Sequence, residues 1–339
     1  MQNARHTGKL VLTFPRPPDP DGTVLITGGT GTLGTLLARH LVATHGVRHL
    51  LLASRRGPQA DGADRLRADL EGAGAHVTIT ACDVADPHAL RQLLDSVPAE
   101  HPLTGVFHTA GTLADATIAN LTPDQFATAF APKADAARQL HELTRHLDLA
   151  AFVLYSSTAA TFGNPGQGNY VAANAFLDAL AHHRRRQGLS ATSMAWGWWQ
   201  PVTGLSGTLT DSDNARIAGT GLAPITAEYG HALLDTALEL PYPVLTASPL
   251  NQRTLRANSE LGTLHPLLER LTAATAARRT SGAADSVPDL RQELDALAPR
   301  RGCVGCAPSS PPTPAPYWGS TRPRRCRRTS PSRRPASTP

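Results

Sequence analysis

The sequence predicts an α/β fold, a doubly wound parallel sheet covered by helices on both faces. Two observations carry this. Short, continuous apolar runs alternate with amphipathic stretches from residue 23 onward, and only strands buried on both faces read that way. A glycine-rich turn, GGTGTLG (28–34), joins the first apolar run to the first helical stretch, the place where Rossmann-type sheets bind phosphate.

Each element follows in order. LVLTF (10–14) is a short strand-like run, and RPPDPDG (16–22) is a proline-rich linker that forbids regular structure. TVLIT (23–27) is the first buried strand, and TLLARHLVATHG its helix. HLLLAS (49–54) is the second strand, followed by the helix ADRLRADLEGAG. HVTITACD (76–83) is the third, followed by PHALRQLLDSV. LTGVFHTAG (103–111) supplies a fourth strand and its exit loop, and residues 123–147 one long helix. AFVLYSS (151–157) is the fifth strand, residues 169–188 the next helix, SATSMAWG (190–197) the sixth strand and VLTASPL (244–250) a seventh. Right-handed crossovers wind these strands into one sheet. Residues 275–298 are Ala-rich and polar, a linker followed by a helix.

Composition narrows the function. The formal net charge is +5, but residues 302–339 hold seven Arg and no acid, so residues 1–301 carry 5 − 7 = −2. A mildly acidic body argues against nucleic-acid and membrane partners. No apolar run is long enough to span a bilayer, and MQNARHTGKL lacks the core of a signal peptide; the expected location is cytoplasmic. Three of the four cysteines lie in the same tail, leaving Cys82 alone in the body, which fits a reducing compartment. Only two lysines occur among 32 basic residues, Lys9 and Lys133.

Gly29, Gly31 and Gly34 fit G-x-G-x-x-G between a strand and a helix, a turn that brings backbone against a pyrophosphate. The second strand ends in Ser54-Arg55-Arg56 rather than in an acid. An arginine there accommodates a 2′-phosphate, which favours NADPH over NADH. Asp83, closing the third strand, is placed to reach an adenine edge.

YVAAN (170–174) poses a puzzle. A tyrosine opening a helix at the carboxyl end of a sheet suits proton donation, with a lysine expected one turn later on the same face; that position is Asn174. Ser157 ends the preceding strand, 13 residues before Tyr170. Taken together, TGGTGTLG, LLASRRG, ACDV, HTAG, PK, SS, PGQGNYVAANAFLDAL and AWGWW resemble the short-chain dehydrogenase/reductase superfamily. More narrowly they resemble the ketoreductase domains of modular polyketide synthases, from about residue 6 to about residue 270. In those ketoreductases lysine and asparagine exchange places, so the resemblance assigns the missing cation to Lys133, on the preceding long helix. It implies NADPH-dependent reduction of a β-ketoacyl chain borne by an acyl carrier protein, among other polyketide synthase domains. In that reading Tyr170 donates the proton, Lys133 lowers its pKa, Ser157 stabilises the developing oxyanion, and Asn174 holds a water or orients Lys133. The cofactor site then comprises Gly28, Gly29, Thr30, Gly31, Leu33, Ser54, Arg55, Asp83, Val84, Ala110 and Gly111, with no metal.

The resemblance also bears on stereochemistry. Ketoreductases that form the D-configured hydroxyl carry Leu-Asp-Asp after HTAG; here Leu113 and Asp115 match and Ala114 departs. The opposite class has a tryptophan where this chain has Phe162. Ala172 stands where products of epimerisation are associated with proline. These residues imply a D-hydroxyl without epimerisation. Trp196 reads as core, while Trp198, Trp199 and the segment 202–222 resemble a lid.

The expected division is an arm and linker over 1–22, the remnant of a structural subdomain, a catalytic domain over 23–272, and a linker with a disordered tail over 273–339. Three readings of the tail compete: a basic arm, a metal half-site at Cys303 and Cys306, and an out-of-frame segment. The last is favoured. Back-translated with GC-rich codons and read one base earlier, residues 317–339 can encode a stretch resembling an acyl carrier protein up to its phosphopantetheine-bearing serine. Two alternatives to the enzyme are a truncated, non-catalytic cofactor-binding fragment and a basic nucleic-acid binder.

Overall fold

A computed structural model describes residues 19–200 and 211–272, with the side chains of 211–213 not described. The strand expected at 10–14, residues 16–18 of the linker, the first part of the lid, the Ala-rich stretch and the tail lie outside the described residues.

Seven strands form one parallel sheet in the order β3-β2-β1-β4-β5-β6-β7. They are β1 (Thr23–Thr27), β2 (His49–Ser54), β3 (His76–Ala81), β4 (Leu103–His108), β5 (Ala151–Ser157), β6 (Thr192–Trp196) and β7 (Val244–Ala247). The order reverses between β1 and β4, which opens a crevice at the carboxyl ends of the strands. Central strands are buried throughout, as in β1, whereas the edge strand β3 is mostly exposed. Along β1, Val24 and Ile26 enter one core and Leu25 the other.

On the first face lie α1 (Thr32–His45), α2 (Ala63–Gly72) and α9 (Ala227–Glu239), through Leu37, Leu41, Leu66, Leu70 and Leu234. On the second lie α3 (Pro87–Asp95), α5 (Ala136–Thr144) and α7 (Gly168–Arg186), through Leu90, Leu93, Leu140, Leu177 and Leu180. Local chemistry sets their starts. Asp86 caps α3 by accepting from the His88 and Ala89 amides, with Pro87 at its first position. Thr122 and Gln125 close a capping box on α4 (Pro123–Phe130). The remaining helices are α6 (Ala159–Phe162), α8 (Asp211–Gly219) and α10 (Gln252–Glu260). No described helix is long and apolar enough to cross a membrane.

The long helix expected over 123–147 is broken. Between α4 and α5 the chain makes a π-helical turn, Ala131–Asp135, closed by the Ala136 amide on the Ala131 carbonyl. Pro132 accounts for it: proline has no N–H and its ring crowds the carbonyl one turn back, so the helix cannot pass through unchanged. Lys133 sits in this turn.

Buried imidazoles make the fold acid-sensitive. His108 is fully buried. Burial first, and then the Lys133 charge, hold it down to about 3. Burial and His40 hold His231 down to about 4. Burial and the stacked rings of His101 and His76 lower His49. The unfolded chain protonates such groups near pH 6.5, and the fold does not. Their stabilisation is therefore complete above that value and is lost as pH falls below it. His108 alone costs about 1.4 kcal/mol per pH unit on that descent. Thermal melts should show a falling melting temperature between about pH 7 and about pH 5; a flat profile there refutes the assignment.

Candidate active site

The turn after β1 depends on glycine at specific points. Gly28 has φ +71°, and the Gly31 amide closes back onto the Gly28 carbonyl at 2.9 Å. A Cβ on Gly34 would strike that same carbonyl oxygen, and one on Gly29 would press into Leu52 at 2.8 Å. Gly31 caps α1 with no side-chain bond, and no acid occupies the first helical turn. The helix thus presents backbone N–H groups and the positive end of its dipole to the crevice, a cradle that fits a pyrophosphate.

The flanking residues extend this cradle. The Thr30 hydroxyl donates to Ser54 Oγ at 2.7 Å, and Ser54 Oγ also accepts from the Gly57 amide. Arg55 and Arg56 are both exposed. Arg56 bonds Asp61 at 3.2 Å, while Arg55 stands at the rim of the crevice. Asp83 closes a tight turn by accepting from the Ala85 amide, and Val84 is buried beside it.

β5 delivers Ser157, whose Oγ accepts from the Ala159 amide at 3.1 Å. α7 places Tyr170 in its first turn and Asn174 one turn on. Lys133 is 3% exposed. Its Nζ donates to the Tyr155 carbonyl at 2.7 Å and lies 5.6 Å from the centre of the Tyr170 ring. Burial pulls the ammonium down to about 8, with Asp178 opposing. His108 locks this turn in place. Its Nε2 meets the Lys133 carbonyl at 3.0 Å. A carbonyl only accepts, so Nε2 carries the proton and Nδ1 accepts from the Thr27 hydroxyl, 2.7 Å away. One imidazole thereby ties β1 and β4 to the π-helical turn.

Two expectations need correction. Tyr170 is not lowered: burial pushes its phenol up, hydrogen bonding from Asn174 and Ser157 pulls back, and Asp115 pushes it further up. Desolvation outweighs the two hydrogen bonds, and Lys133 lies over the face of the ring with its Nζ donating to the Tyr155 carbonyl. Nor does Asn174 orient Lys133 by contact. Its Nδ2 donates to the Tyr170 carbonyl at 2.8 Å. Its Oδ1 is buried with no partner among the described residues, an acceptor suited to a water.

Thr112 and Leu113 line the crevice, and the residues that follow them, Ala114 to Ala116, are stapled to the segments around the start of α7. The Ala116 amide bonds the Gly166 carbonyl at 2.8 Å, and Gln167 Nε2 donates to Asp115 at 2.9 Å. Asn169 is fully buried and donates to the carbonyls of both Ala114 and Gln125. Phe162 meets His265 edge-on. Of the site residues read from the sequence, all but three line a single cavity of about 1690 Å³. Gly29 packs behind the turn, Asn174 is buried behind Tyr170, and Asp115 lies exposed outside. The sequence reading missed His108, Asn169, and three residues of the far wall, Asn258, His265 and Leu268. Two of these sat inside motifs already quoted, His108 opening HTAG and Asn169 preceding Tyr170.

Comparison with known proteins agrees with this architecture. The KR domain family model matches residues 22–201. Polyketide synthase GfsB of Streptomyces halstedii is 56% identical over 303 residues, 88% of this chain and 5% of that protein. Pikromycin polyketide synthase component PikAII of Streptomyces venezuelae is 49% identical over 310 residues, 88% of this chain and 8% of that protein. The chain thus spans under a tenth of either relative. Among solved structures, an A1-type ketoreductase superposes with a TM-score of 0.70 at 44% identity, covering 80% of this chain and 56% of that one. An A-type ketoreductase from a modular polyketide synthase gives 0.66 at 46% identity, covering 74% and 52%. The chain belongs to the KR domain family, the ketoreductase domains of modular polyketide synthases, with the short-chain dehydrogenase/reductase fold.

Proposed function

We propose that residues 23–272 catalyse the NADPH-dependent reduction of a β-ketoacyl thioester to a D-β-hydroxyacyl thioester, with the substrate presented by an acyl carrier protein among other polyketide synthase domains. The observation that carries the reading is the convergence of Ser157, Tyr170 and Lys133 on the cavity that the glycine turn also lines. When bound, NADPH supplies the hydride. Tyr170 donates a proton to the ketone oxygen, and its raised pKa keeps that proton in place at neutral pH. The Ser157 hydroxyl donates to the same oxygen as charge develops. Lys133 sets the potential on the face of the Tyr170 ring, and the free Asn174 oxygen holds a water that relays protons behind it.

Arg55 supports the choice of NADPH, since it stands at the crevice rim with no carboxylate partner among the described residues, while Arg56 pairs with Asp61. Leu113 and Asp115 support the D-hydroxyl. Overall likeness does not discriminate here, because the solved neighbours include an A1-type and a C2-type ketoreductase. The test is nicotinamide oxidation with a β-ketoacyl thioester or a simple bulky ketone. The protein should consume NADPH, and Arg55→Asp should raise KM for NADPH at least about tenfold, the value of one charge-assisted hydrogen bond, while KM for NADH changes little. Equal losses for both cofactors sink the 2′-phosphate assignment. Cofactor binding without turnover sinks the reductase and leaves a non-catalytic binding fragment.

A further inference from the structure

One carboxylate near the site has no part in the mechanism above. Tyr170, Asn174 and Asp178 follow at intervals of four along α7, so they share a face. Asp178 is half-buried and does not line the cavity. Its Oδ1 accepts a 2.6 Å hydrogen bond from Ser193 Oγ on β6, itself fully buried. The Ser156 hydroxyl on β5 also lies within reach, although its one proton is shared with the Asn174 carbonyl at 3.2 Å. Lys133 meets β5 at the adjoining Tyr155 carbonyl. Ammonium and carboxylate thus flank the same strand end from α7 and the π-helical turn.

We propose that Asp178 is a positioning residue: held by Ser193, it supplies the counter-charge that keeps Lys133 an ammonium while Tyr170 donates its proton. The inference rests on the catalytic reading of Lys133 and Tyr170.

Among the described residues, the surroundings leave Asp178 alone in this role. From β4, His108 faces Lys133 as a neutral ring. From β5, Tyr155 is held protonated by burial. From α7 come Tyr170, also protonated, and Asp178. His182 faces Asp178 from the next turn. Burial works against the Lys133 charge, and Asp178 is the group that works for it. The same burial raises Asp178, and the Ser193 bond, Ser156 and the Lys133 charge counter the rise. The ammonium's own hydrogen bond goes to a neutral carbonyl, so Asp178 acts through space, where a low-dielectric surround strengthens it.

A purely structural role makes a different forecast. If Asp178 only fastens α7 to β6, asparagine serves as well, since its oxygen still accepts from Ser193. The chain's two lysines permit a direct test. Lysine labelled with ¹³C at Cε gives two resonances in the full chain, and Lys9→Arg removes one, leaving Lys133. In the parent its midpoint should fall near 8. Asp178→Asn should lower it by about one pH unit, and Asp178→Glu should restore it. The alkaline limb of kcat/KM should move with it, a loss of about fivefold at the parent midpoint with little change about two pH units below. Ser193→Ala, which keeps the charge but frees it, should move the midpoint in the same direction by less, and it decides the matter if Asp178→Asn does not fold. An unmoved Lys133 midpoint in a folded variant overturns the proposal. A shifted midpoint with an unmoved activity limb overturns it too, and traces the failure to the role given to Lys133.

Discussion

Tyr170→Phe should lower turnover by a factor of about 10²–10⁴, the contribution of a positioned general acid, while leaving NADPH binding nearly intact. The ring stays, so the packing at the start of α7 and the face presented to Lys133 survive. The bonds that hold the residue from its backbone also survive: the Tyr170 amide still donates to Asn169 Oδ1 and its carbonyl still accepts from Asn174. Only the hydroxyl goes. Single-turnover nicotinamide oxidation, with cofactor affinity measured alongside by fluorescence titration, separates the two effects. Activity above a few per cent of the parent would mean that another group is the acid.

Gly34→Ala should cost cofactor affinity about tenfold or more. The added Cβ meets the Gly28 carbonyl oxygen and lies 2.8 Å from the Gly29 Cα. Both are backbone, so neither can rotate away, and overpacking of this kind costs about 1–3 kcal/mol. Relief comes by moving the turn off the helix, which displaces the amides that face the crevice. Gly72→Ala is the control. Its Cβ meets nothing within 4 Å near the end of α2, so a helix former there should leave binding unchanged and stability equal or higher. A Gly34→Ala protein that binds NADPH like the parent would show that the turn has slack and does not grip the phosphates.

The strands were legible because their chemistry is local. TVLIT and AFVLYSS carry unbroken apolar runs, Val24–Ile26 and Ala151–Tyr155, and both strands are buried on two faces. The glycine turn was legible because Gly28, Gly29 and Gly34 each meet a steric demand that a side chain violates. The exchange of lysine for asparagine came from family resemblance and not from periodicity. The π-helical turn was hidden because Pro132 interrupts residues that otherwise favour helix, and only tertiary packing decides between a break, a kink and a bulge. α9 and α10 were not read as helices. α9 carries Gly230, where the Trp199 ring packs so closely that no Cβ fits, and a glycine that looks like a breaker is there for that contact. The protonation of Tyr170 was misjudged for a related reason. Sequence shows which charges are present, but desolvation depends on what surrounds them.

The π-helical turn has a consequence for how core and site are decoupled. Each α-helical residue advances the chain by about 100°. One surplus residue therefore puts α4 and α5 out of phase with each other, like two screws joined with a washer. α5 can keep Leu140 and Ala137 aimed into the core, while the turn ahead of it aims Lys133 at the strand end on its own account. A cation needed at one point in space is thus supplied from whichever helix passes nearby, and the core needs no matching change. His108 is the fastener that holds the offset, since its neutral ring engages the Lys133 carbonyl on one side and the Thr27 hydroxyl on the other.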